Sequence, residues 1–323
     1  MPADTDFMPS DDEWTALTAS DRKRRAYTED LYFRACWADA VAVLGADATR
    51  VLGEVAMFAF KSDGVAGRRM RPTMTFLAQQ GFSVLGAAPF RHNRHSMRAI
   101  WQYDWHPYSN DRLALTSVMH GATESLLLML RDLRYDGVVP GTMRLSELKG
   151  AATDKVWTQD QLRGVLKPPN RVINFVHIAD EPADTVRELA IFFDRETRRR
   201  LLEQVRDNFD EDRPALAEVE IDRIEKLYPG TDFDLTRALD RLRASGALTG
   251  DAAERLRATA EAPGKLSWTE LCHLIDHRDP RVDIWDFVRV ATEVLPMERP
   301  GHTGLMPAPT SGDWQARAAG RAR

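Results

Sequence analysis

The chain has 323 residues, 43% of them apolar and 29% charged, which suits a sizeable core, a soluble surface and two or three folding units. A net charge of −5 provides no global field toward nucleic acid or an anionic membrane. Cys36 and Cys272 lack any paired spacing, and neither a signal-like apolar segment nor a run of about 20 apolar residues occurs. A cytoplasmic protein without disulfides or structural zinc is expected.

Residues 1–20 read as a disordered leader that ends in a helix start. The stretch LTASDRKRRAYTEDLYFRACWADAVAVLG predicts one long helix, with Leu31, Ala35 and Ala38 on its apolar face and Gly45 as its stop. EVAMFAFKSDG predicts a buried strand closing on a lysine and a turn. AGRRMRPTMTFLAQQG predicts a helix with Met70, Met74 and Leu77 on one face and Gly81 beyond its end. FSVLGAAPF alternates as a half-buried strand, broken at Gly86. Short helices are expected around 94–103 and 110–119, then strands in ATESLLLMLRD and RVINFVHIA. A further helix follows Asp180, which can cap it, with Pro182 in its first turn. The order strand–helix–strand–strand–helix–strand predicts an α+β fold with a ferredoxin-like βαββαβ antiparallel sheet and flanking helical extensions. The boundaries drawn are an N-terminal extension over 1–50, the α+β domain over 51–208, a helical domain over 209–300 and a flexible tail over 301–323. The tail, rich in Pro, Gly and Ser, shows no periodicity.

In that order the fourth strand lies antiparallel beside the first, so Lys61 at the end of one approaches His177 at the start of the other. Arg163, in the segment feeding the fourth strand, adds a second cation, and Asn174 an amide donor. Glu188, on the following helix, can accept an N–H from one imidazole nitrogen and leave the other as a nucleophile. Positioned cations around a reactive histidine suit phosphoryl transfer, which needs placed charge more than covalent chemistry.

These residues also carry a resemblance. FKSDGVAGR followed by NFVHIAD and VRELAIFF is similar to the nucleoside diphosphate kinase family, which pairs a Lys-Pro-Asp-Gly-Val turn with Asn-x-x-His-Gly-Ser-Asp and a glutamate eleven residues after the histidine. Lys61, Asp63, Gly64 and Val65 match the first motif, and Asn174, His177, Asp180 and Glu188 the second. LRGV resembles the family's Ile-Arg-Gly-Asp, and KGAATD its Gly-x-Thr element with one residue more. The resemblance spans about residues 54–205. It implies a histidine, here His177, that is transiently phosphorylated by a nucleoside triphosphate, with Glu188 orienting it. Lys61, Arg163, Asn174, Thr153, Tyr103 and Arg144 would contact phosphate or nucleotide. It further implies Mg²⁺ carried on the nucleotide phosphates, no metal held by protein side chains, a nucleotide substrate and a homo-oligomer. Neither a membrane nor a specific nucleic acid is expected as partner, and the C-terminal helices are available for a protein partner.

The chain departs from the pattern at Ser62, Ile178 and Ala179. The family's Arg-Pro-Phe-Phe segment, whose aromatic stacks on the base, is not recognisable in PYSNDRLALTSVMHG; Asn110, Asp111 and Arg112 offer directional hydrogen bonds there instead. The alternative function is therefore a catalytically weakened nucleotide-binding or scaffold protein on the same fold. Other clusters carry less: His92 and His95 read as a basic turn, and His273, Asp276 and His277 as a solvated helix face rather than a metal site.

Overall fold

A computed structural model of the chain describes residues 8–151, 157–262 and 265–321. Among these residues the strands β1 (Val55–Phe60), β2 (Phe82–Phe90), β3 (Ser125–Asp132) and β4 (Val176–Ile178) form one sheet in the order β2-β3-β1-β4. Every neighbouring pair is antiparallel. This is the ferredoxin-like arrangement expected from the element order, within an α+β chain whose sheet is flanked by many helices.

All six residues of β1 are buried, because both faces of the sheet are covered. Val55, Met57 and Ala59 face a core built with Phe33, Trp37, Val186 and Leu189, from the helices Leu31–Leu44 and Pro182–Phe192. Ala56, Phe58 and Phe60 face a second core that runs without a break into the C-terminal helices, through Ile224, Leu242 and Phe287. A strand covered on both faces needs apolar residues at successive positions, which explains the VAMFAF run.

Three local expectations are revised. The long N-terminal helix is two, Asp21–Thr28 and Leu31–Leu44: Asp30 accepts from the Tyr32 and Phe33 amides and caps the second. The expected fourth strand shrinks to three residues, since Phe175 adopts φ 72° just before it. The C-terminal segment docks rather than trailing. Leu305 N donates to Tyr103 O at 2.8 Å, the helix Ser311–Arg321 follows, and Trp314 is buried with its indole N–H on Glu181. No described helix is long and apolar enough to cross a membrane.

Candidate active site

The two motifs that frame the site are one structural unit. Asp63 Oδ2 accepts the amides of Asn174 and Phe175 at 2.9 and 2.8 Å. The Lys61 amide donates to Phe175 O at 3.0 Å. Gly64 lies so close beneath this bend that a Cβ would overlap Phe175 O. The turn after β1 thus fixes the bend that launches β4, and β4 pairs Ala59 with His177.

His177 and Lys61 open into a cavity of about 380 Å³. His177 Nε2 lies 2.6 Å from Glu188 Oε2. With the carboxylate ionised, Nε2 carries the proton and Nδ1 keeps the lone pair. Burial raises the Glu188 pKa, and the His177 N–H pulls it back. The edge-to-face contact with Trp101, ring centroids 5.4 Å apart, holds the other side of the imidazole.

Cations line the same space: Lys23, Lys61, Arg112, Lys149, Arg163 and Arg171. Lys61 is almost wholly buried and sits 3.5 Å from Asp63. Burial lowers its pKa, Asp63 opposes that, and Arg163 adds to it. Arg163 is braced by Gly150 O, at a glycine whose φ of 80° ends the helix Gly141–Lys149. Lys149, the last residue of that helix, is half-buried and pushed down to about 8, by burial first and then by Arg163, while Asp180 and Glu188 oppose the shift.

Of the residues expected from sequence, His177, Glu188, Lys61, Arg163, Asn174 and Tyr103 line this cavity. The Asn174 side chain also donates to Arg171 O at 2.9 Å. Arg144 is not brought to it. Its guanidinium is paired with Asp132 on β3, donates to Gln80 O and covers the Phe82 ring, so the expected nucleotide contact of Arg144 is not met by its place in the fold. Lys149, five residues on, lines the cavity. Thr153 lies outside the described residues.

The aromatic wall also differs from expectation. Trp101, Trp105 and Tyr108 line the cavity, and the Arg112 guanidinium sits 3.5 Å from the Tyr108 ring centre. Asp111 does not line the cavity: it accepts the Trp268 amide at 2.9 Å, and Asn110 is exposed. Ile178 and Ala179, where the sequence departs from the family pattern, are both buried in the cores beside the sheet.

No family model matches the chain, and no curated protein does. Among solved structures the chain is similar to a halophilic nucleoside diphosphate kinase from Halobacterium salinarum, solved in complex with CDP. The match has 19% identity and a TM-score of 0.35, and covers 45% of this chain and 90% of that one.

Proposed function

We propose that the protein is a nucleoside diphosphate kinase-like phosphotransferase that moves a phosphoryl group from a nucleoside triphosphate through His177 to an acceptor. The observation that carries this reading is the 2.6 Å contact between His177 Nε2 and Glu188, within a cavity lined by Lys61, Lys149 and Arg163. The contact leaves Nδ1 as the nucleophile. Nδ1 attacks the γ-phosphorus, the bond to the β–γ bridging oxygen breaks, and the diphosphate leaves with its electron pair. Glu188 stabilises the positive charge that develops on the ring, and the cations hold the phosphate oxygens.

Mg²⁺ would enter on the triphosphate and neutralise phosphate charge. Among the described residues no group of three or more His, Cys, Asp or Glu side chains is arranged to hold a metal ion.

The test is incubation with γ-labelled ATP. The protein should acquire a label that is labile in acid and stable in base, and His177→Ala should lose it while remaining folded by circular dichroism. Equal labelling of wild type and variant would remove His177 from the chemistry.

A further inference from the structure

The cavity holds a second imidazole that this reading leaves without a task. His120 is the penultimate residue of the helix Asn110–Gly121, and its carbonyl accepts Ser62 Oγ at 2.6 Å, directly after Lys61. Its ring lines the cavity although the residue is only 3% exposed. It packs with its centroid 5.4 Å from Trp101, the same indole that lies 5.4 Å from His177. Both imidazoles therefore lean on one side chain. His120 Nδ1 is buried with no hydrogen-bond partner. Buried polar atoms are almost always partnered, so this ring keeps unused hydrogen-bonding capacity beside the cavity that its residue lines.

The chemistry that would use this capacity follows from charge. Lys61, Arg112, His92 and His177 surround the ring, and burial together with these groups holds it neutral. Phosphate oxygens need donors, which Lys61, Lys149 and Arg163 already provide. What a neutral imidazole offers beyond them is a lone pair. A terminal phosphate acceptor, with its second pKa near ~6, has no proton to lose at neutral pH. A hydroxyl acceptor does, and phosphotransferases that act on hydroxyls place a proton acceptor beside it.

Resting on the phosphohistidine reading, we propose that His120 receives the proton of a hydroxyl-bearing acceptor as the phosphoryl group leaves His177. The Nδ1–P bond of His177 breaks and its electron pair returns to the imidazole. The hydroxyl oxygen forms the new P–O bond, and its proton passes to the unprotonated nitrogen of His120 and then to solvent. The product is a phosphate monoester.

The experiment uses the full chain, charged with γ-labelled ATP and freed of nucleotide. It is then mixed either with adenosine, guanosine, cytidine, uridine and glycerol, or with the four nucleoside diphosphates. Label should pass to at least one hydroxyl compound. In His120→Phe, which keeps a flat ring, and in His120→Gln, that discharge should fall about 100-fold, well beyond any fall in charging. The glutamine variant carries the test if the phenylalanine variant does not fold. Label that discharges only to diphosphates overturns the inference and leaves the phosphohistidine reading standing, as does hydroxyl transfer at the wild-type rate in a folded variant. A wild-type chain that never charges removes both.

Discussion

Lys149 is where a single side chain sets a pH limit. Its pKa of about 8, lowered by burial and by Arg163, keeps it charged at neutral pH and lets it deprotonate just above. A triphosphate favours the charged form, so affinity should hold below that value and fall by up to about tenfold per pH unit above it. Calorimetric titration with Mg·ATP from about pH 6.5 to pH 9.5 checks this. Lys149→Met should bind more weakly, by about 1.5–3 kcal/mol, with the alkaline step abolished. A wild-type profile that stays level to about pH 9 would show that Lys149 makes no phosphate contact. This residue was not legible in the sequence, whereas His177, Glu188 and Lys61 were, because they stand at fixed spacing in motifs. Lys149 and Arg144 lie on the same nine-residue helix, and no local pattern says which of them looks into the cavity. The answer depends on Asp132, a strand residue that captures Arg144. His120 and Trp101 were hidden for a related reason: the path that brings 94–121 over the sheet is tertiary.

At the scale of elements, the turn after β1 and the bend before β4 are held by backbone contacts that tolerate no extra atom. Gly64→Ala would push a methyl group into Phe175 O, and neither partner is the end of a flexible side chain. The substitution should destabilise the fold by about 1–3 kcal/mol, read as a lower urea midpoint. An unchanged midpoint would mean that the bend yields easily. The same contacts explain why four strands in the right order were readable while the extent of β4 was not. RVINFVHIA has strand composition throughout, but Asp63 draws the Asn174 and Phe175 amides out of the ladder. Likewise the helical pattern through Asp30 hid a cap, and the unpatterned tail hid a docked strap. Leu305 pairs with Tyr103 through the backbone, a contact that leaves no trace in side-chain periodicity.

Over the whole molecule, the sheet is a partition between two cores, and the helices of each end of the chain cover one face. The C-terminal helices share their core with Phe58 and Phe60, so they are integral to the fold of the sheet they cover. The N-terminal helices reach the site through charge. Lys23 lies 2.6 Å from Asp184 and 2.8 Å from Glu181, and these carboxylates with Asp180 outweigh burial and hold its pKa above the usual range. Tyr27 OH donates to the other Asp184 oxygen at 2.5 Å. Both acids open the helix that carries Glu188, so the N-terminal extension braces the helix whose Glu188 lies 2.6 Å from His177.

Glu181 gives that bracing a thermodynamic signature. One carboxylate accepts Thr18 Oγ1 at 2.6 Å, the Ala19 amide at 2.7 Å and the Trp314 indole N–H at 3.1 Å. Side chains 296 positions apart in the chain therefore share one buried acceptor, and Arg317 adds a direct bond to Thr18 O. Losing either partner frees the carboxylate to reorient toward the other, so the two losses are not independent. In a double-mutant cycle, Thr18→Val and Trp314→Phe should give urea-unfolding changes that fail to sum, with an interaction energy of about 0.5–3 kcal/mol. Changes that sum within about 0.3 kcal/mol would mean that the two ends act separately. Coupling of this kind would make the segments around Thr18 and Trp314 unfold together with the helix that carries Glu188, in one transition.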